Sequence, residues 1–301
     1  MAEEIEPLVT MEGLASIHGL FVPDELSQGP VLVELEPGLE ISRLDAETER
    51  LMYQTEPIRR VGGFRWSDHY FAVRLRFDTP AEGEGRQRAQ RRANRLIRSA
   101  LDCLRLFQAG HLYYGGIIHR PIARNGPVDI FPRPWSDTPV ALYPLSTQAD
   151  IDGLAKLWSI LRNRTVRDRQ YVTLAIRWFS LSAESERIED TVIFLMTAAE
   201  ALFQAGSVSR KGEHIANAAV KLNLKPVQEE EVHQHLRDSY DLRNDVLHKG
   251  NFTDWRRAND QRLSPVELTH FVEITAAHVR AAIRAMVESI VAGSVNSCAR
   301  R

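Results

Sequence analysis

The stretch Ser239-Tyr240-Asp241-Leu242-Arg243-Asn244-Asp245-Val246-Leu247-His248-Lys249-Gly250 closes what reads as a long amphipathic helix. Counting back to Val232, the residues Val232, Leu236, Tyr240 and Leu247 recur at helical spacing, and Leu242 and Val246 widen the stripe. At roughly 100° per residue these six side chains share one apolar side. Asn244 and His248 lie one turn apart beyond its edge. Gly250 suits the C′ position that ends the helix. Arg243 breaks the pattern, because it falls inside the apolar stripe between Leu236 and Val232. A guanidinium there is costly unless it is paired or faces a wet cleft, and such a conflict between pattern and residue points to function.

Arginine, asparagine and histidine together suit chemistry on a phosphodiester. Arg carries a permanent charge on a planar fork of donors that fits phosphate oxygens. His titrates near neutrality and can give or take a proton, an effect worth roughly 10²–10⁴ in rate. Asn can orient the imidazole or bind a phosphate oxygen. A structural reading stands beside this one. A His in a last helical turn is favoured by the helix dipole, Asp245 is within reach of it on the surface, and Arg243 can be locked to an acid on a neighbouring helix. Glu200, projecting between Met196 and Ile193 on the apolar side of its own helix, has the complementary problem. The two are expected to meet.

Arg243-Asn244-x-x-x-His248 resembles the R-(N/H/D)-x-x-x-H motif of HEPN domains. The flanking Tyr240-Asp241-Leu242, together with Ala199-Glu200-Ala201-Leu202-Phe203, is similar to the Apea-like HEPN subgroup, whose E-x-L pattern Glu200 matches. The resemblance runs from near Leu145 to near Gly293. It implies a helical domain that forms a homodimer or higher homo-oligomer with motif helices facing each other. It further implies a metal-independent endoribonuclease without cofactor, with Arg243, His248 and Asn244 catalytic and RNA as substrate. Glu200 and Tyr240 would be supporting structural residues. The family setting, a toxin or antiviral defence system, implies an antitoxin or trigger protein as a further partner. The alternative is a helical module that dimerises or binds RNA without turnover. Lys249 departs from the subgroup, where Gly often follows the His directly.

Composition is that of a soluble globular protein: 44% hydrophobic and 26% charged residues, with a net charge of −2. A uniformly basic coat is excluded, but the charge is uneven. Residues 1–60 hold thirteen Asp or Glu against four Arg, whereas residues 61–120 hold eleven Arg against five acids. Such asymmetry suits a polyanion-facing surface. Two distant cysteines, Cys103 and Cys298, make neither a disulfide framework nor a metal set. The acidic start predicts no signal peptide, and no apolar run reaches the ~20 residues of a membrane span, so a cytoplasmic protein is expected.

The pattern predicts an α+β chain. An N-terminal domain over 1–145 has a small antiparallel sheet, one face solvated, and one long helix. An all-α HEPN-like bundle follows over 146–293, and then a tail over 294–301. Strand alternation is clearest at Phe71, Val73, Leu75 and Phe77. The long helix is expected over 84–109, with Arg88, Arg91, Arg92 and Arg95 on one face. That stripe suits a phosphate backbone or a solvated surface. Tyr113, Tyr114 and Trp135 are candidate base-stacking residues or core plugs in a Pro-rich tract. Arg162–Arg169 reads as a basic turn in which Arg164 and Arg167 are further candidates for phosphate contact, and Arg256 and Arg257 add to them. His214 is expected at the surface. His233 and His235, two apart, point to different sides and make no metal site. Ser264-Pro265-Val266-Glu267 carries a capping-box signature for the last helix. No nucleotide-binding Gly loop, zinc motif or serine elbow occurs.

Overall fold

The computed structural model describes residues 8–48, 50, 71–110, 112, 114, 116–122, 128–132, 143–222, 229–250 and 263–293. The chain divides into two compact units, Met1–Trp158 and Ser159–Arg301. The first is α+β and the second helical. The division falls within a helix, Gln148–Arg162, rather than in the Pro-rich tract before it. Trp135, Tyr113, Arg256, Arg257 and the tail over 294–301 lie outside the described residues.

The first unit holds β1 (Leu8–Ile17), β2 (Leu20–Phe21), β3 (Val31–Glu36), β4 (Leu39–Arg43), β5 (Phe71–Pro80), helix α1 (Gly83–Phe107), β6 (Gly116–Pro121), β7 (Asp129–Pro132) and β8 (Tyr143–Pro144), and most of α2 (Gln148–Arg162). Six strands form one antiparallel sheet in the order β3-β4-β5-β1-β6-β7, and β2 pairs in parallel with β8. The centre is β1, which pairs with β5 from Leu8↔Pro80 to Ile17↔Phe71 and with β6 from Met11↔Pro121 to Leu14↔Ile118. Alternation puts Met11, Ala15, Val73, Leu75 and Ile117 on the face that meets α1, and Ile97, Leu101 and Leu104 of α1 are buried there.

The opposite face departs from the expected solvated one. Leu14, Leu44, Ala72 and Ile118 form a buried cluster on it. Beside them the buried Glu12 carboxylate sits between two guanidinium groups, 3.2 Å from Arg74 Nε and 2.8 Å from Arg120 Nη2. Arg120 also donates to Thr48 Oγ1 at 2.7 Å. A charge this far from water is tolerated because it is paired on both sides.

The second unit takes α3 (Arg164–Arg167), α4 (Gln170–Ala183), α5 (Ile188–Leu202), a 3-10 turn (Ala205–Ser207), α6 (Lys211–Lys221), α7 (Glu229–Lys249) and α8 (Pro265–Val291). The basic turn expected around Arg164 is therefore a single helical turn, capped by Asn163 Oδ1, which accepts from Thr165 N at 2.9 Å. Helix α5 packs on α4, α7 and α8, and α7 packs on α5, α6 and α8. Leu195, Met196, Leu202, Ile215, Leu236, Leu242, Phe271 and Ile283 are buried among them. Helix α8 opens with the anticipated box: Glu267 N donates to Ser264 Oγ, and Ser264 N to Glu267 Oε2 at 2.8 Å. Among the described residues, no helix is long and apolar enough to cross a membrane.

Candidate functional site

Helix α7 positions the motif. Val232, Leu236, Tyr240, Leu242 and Val246 are buried as the periodicity implies, but Leu247 is 48% exposed. The covered side turns instead through His235, Asp238 and Ser239, because neighbours on more than one side enclose the middle of α7, whereas Leu247 lies in its last turn. His235 is buried rather than merely turned away from His233. Its Nε2 lies 3.0 Å from Thr275 Oγ1 and 3.2 Å from the Phe271 carbonyl, and Ser239 Oγ lies 2.8 Å from Thr275 Oγ1. This string of small polar groups fixes α7 against α8, since each buried member has a partner. Gly250, at φ 75°, ends the helix in the left-handed region that glycine tolerates, its N–H donating to the Val246 carbonyl at 2.9 Å.

The two misfit charges pair. Arg243 Nη2 lies 3.4 Å from Glu200 Oε1, with side chains only 18% and 16% exposed. The same carboxylate oxygen accepts from the Tyr240 hydroxyl at 2.9 Å. Arg243 Nη1 donates to Asn244 Oδ1 at 3.1 Å, and its Cζ stands 5.4 Å from the centre of the Tyr240 ring. Its Nε is buried without a hydrogen bond. Burial, the hydrogen bond to Glu200 and the nearby Glu200 charge together push the Tyr240 phenol up to about 12, so it stays a neutral donor. Gly212 on α6 makes room for it: a Cβ there would lie 3.1–3.2 Å from Tyr240 Cβ, Cγ and Cδ1.

His248 stands exposed in the last turn of α7. Asp245, the surface partner suggested for it, instead accepts from Lys249 Nζ at 2.9 Å. The fold thus gathers Glu200, Tyr240, Arg243 and Asn244 into one cluster and puts His248 one turn beyond Asn244. Arg88, Arg91, Arg92 and Arg95 belong to the first unit, all exposed on α1. Arg164 and Arg167 are exposed on α3, Arg164 lying 3.4 Å from Asp168. Among the described residues, no group of three or more His, Cys, Asp and Glu is arranged to hold a metal ion.

Several polar residues carry more than their spacing announced. His214, expected at the surface, is half-buried, its Nε2 3.1 Å from the Phe203 carbonyl at the end of α5. His119 on β6 is wholly buried between the rings of Phe77 and Phe131, with neither ring nitrogen hydrogen-bonded. Its position directly after Ile117-Ile118 and before Arg120 is a weak signal that only the sheet register resolves. No protein-family model, curated protein or solved structure matches this chain.

Proposed function

We propose that the chain is an endoribonuclease of the HEPN type, acting as a dimer through Arg243, Asn244 and His248. The observation that carries this reading is the state of Arg243. Glu200 and Asn244 hold its guanidinium half-buried at one end of α7, and an exposed imidazole follows on the same helix. A cation fixed before substrate arrives needs no reorganisation when charge develops on a phosphorane.

The reaction uses the nucleophile that RNA carries. One His248 takes the proton from a 2′-hydroxyl, whose oxygen forms a bond to the adjacent phosphorus. The bond from phosphorus to the 5′-oxygen breaks, and the second copy's His248 returns a proton to that leaving oxygen. The products are a 2′,3′-cyclic phosphate and a 5′-hydroxyl. Arg243 stabilises the charge on the phosphoryl oxygens, and Asn244 orients Arg243 or the phosphate. General acid and base roles call for two imidazoles, which one chain's motif cannot supply. The antitoxin or trigger partner and the defence setting implied by the resemblance belong to this same proposal.

A second reading has one observation in its favour. Arg243 already has protein partners, as expected of a structural contact in a dimerisation or RNA-binding module. Labelled RNA incubated with the protein in EDTA, beside Arg243→Ala and His248→Ala, separates the two. Cleavage by the parent, with cyclic-phosphate ends and a loss of roughly 10²–10⁴ in either variant, supports the nuclease. Equal RNA binding by all three without cleavage supports the module.

A further inference from the structure

We infer that the exposed face of α1 docks the phosphate backbone of a nucleic-acid duplex, independently of whether the helical unit cleaves RNA. No lysine occurs before Lys156, so every side-chain cation of the sheet and of α1 other than histidine is arginine. Apart from Arg43, Arg50 and Arg76, the described arginines of the first unit fall into two groups. Arg74 and Arg120 are tied to Glu12, Arg86 donates to Asp129 Oδ2 at 2.6 Å, and Arg105 is buried. The other group is Arg88, Arg91, Arg92, Arg95 and Arg98, all exposed on one helix. Among the described residues only Arg88 of this group has an acid within ion-pair distance, Glu84 at 3.4 Å, and that pair is itself largely in water. Among the described residues, Arg91, Arg92, Arg95 and Arg98 have no carboxylate partner.

Like charges at helical spacing of three and four destabilise an isolated helix. Here the cost is borne by α1 because its other side is anchored: Ala93, Ile97, Ala100, Leu101 and Leu104 are buried. The apolar side of α1 is thus occupied, which removes the surface an amphipathic helix would need to lie in a lipid headgroup layer. What remains outside is a rigid row of guanidinium forks, the donor geometry suited to phosphate oxygens.

The row runs from Arg88 to Arg98, about 15 Å along the helix axis. A duplex presents one charge per about 1.7 Å, so that length faces about nine phosphate charges. Single strands are held differently, by aromatic side chains on which bases stack. The exposed face of α1 carries no aromatic residue; the helix's one ring, Phe107, is at its far end. Charge without stacking platforms favours the duplex backbone and predicts indifference to base sequence.

The test compares the full chain with Arg88→Gln/Arg91→Gln/Arg92→Gln/Arg95→Gln by fluorescence anisotropy across a salt series. Probes are duplex RNA, duplex DNA and single-stranded RNA of equal length. The parent is expected to bind both duplexes more tightly than the single strand. Four phosphate contacts correspond to a log–log salt slope of about −3.6, or about 10² in affinity between roughly 50 and 200 mM salt. The quadruple variant should lose that portion of the slope, whereas Arg243→Ala should keep it. The same four positions changed to Lys should retain duplex binding, which separates lost charge from lost structure. The inference is overturned if the parent binds no duplex at low salt, if it prefers the single strand, or if the Gln variant keeps the parent slope. Loss of the slope with cleavage intact, or the reverse, tells this docking face from the nuclease proposal.

Discussion

Glu200 on α5 and Arg243 on α7, forty-three positions apart in sequence, solve each other's burial: Arg243 Nη2 to Glu200 Oε1 is 3.4 Å, and neither side chain is more than 18% exposed. Removing one partner leaves a guanidinium with a buried, unbonded Nε and no carboxylate beside it. Fully buried pairs lose about 3–5 kcal/mol when one member is removed. Because part of each side chain still reaches water, Glu200→Ala is expected to cost about 1–3 kcal/mol. A urea titration followed by circular dichroism measures it. An unchanged midpoint would mean that water already screens the pair. Tyr240→Phe removes a single hydrogen bond to the same carboxylate and should cost about 1 kcal/mol.

The cluster also depends on a residue with no side chain. A Cβ at Gly212 would come within 3.1–3.2 Å of three Tyr240 atoms, tighter than an ordinary van der Waals contact. Any shift of Tyr240 to make room strains its 2.9 Å bond to Glu200. Gly212→Ala should therefore destabilise by about 1–3 kcal/mol despite its better helix propensity. If Gly212→Ala raises the unfolding midpoint instead, α6 can slide away from α7 and the site is softer than its hydrogen bonds suggest.

How much of this was legible follows from sequence separation. The capping box at Ser264, the stop at Gly250 and the run of helices in the second half depend on neighbours within a few residues, and local patterns carry them. The Glu200–Arg243 pair was legible in another way, since each charge sat on the apolar side of its own helix and needed an opposite. What stayed hidden needs register. Glu12 reads as an ordinary acidic residue until β1 and β6 pair it with Arg120, and β1 and β5 bring Arg74 alongside. Period alone puts Leu247 in the core, whereas its exposure depends on where the neighbouring helices stop. The solvated sheet face failed for a similar reason: Leu44 lies over it from outside the strands.

That buried carboxylate gives a third test. Glu12 is the nearest carboxylate to two guanidinium groups, at 3.2 and 2.8 Å, while Arg74 has Glu40 and Asp45 only at 3.8 and 3.9 Å. Glu12→Gln keeps the shape but puts an uncharged amide between the two cations, leaving Arg74 only its longer contacts to Glu40 and Asp45. A cost of about 3–5 kcal/mol is expected, read from the urea midpoint, because the site is shielded from solvent. Replacing all three by apolar residues should recover part of the loss, since the repulsion between the guanidinium groups goes, while Glu40 and Asp45 lose the Arg74 cation at 3.8 and 3.9 Å. Failure of that recovery would show that the network specifies the register of β1 and not merely its stability.

The buried imidazole of His119 predicts how the first unit responds to acid. Burial, opposed by the nearby Asp129 carboxylate and assisted by Arg86, holds it at about 4 instead of the usual 6.5. A depressed histidine pKa means that the unfolded chain binds the proton more readily than the folded one between those values. Stability is therefore greatest above pH 6.5 and falls as the pH drops towards 4, below which this contribution levels off. The full difference is on the order of 3 kcal/mol. His119→Leu removes the titration together with two ring nitrogens that have no hydrogen-bond partner, so it should remain folded and flatten the acid limb. Urea midpoints collected from pH 7 to pH 4 for both proteins decide the matter: parallel acid limbs would place the proton uptake on another group.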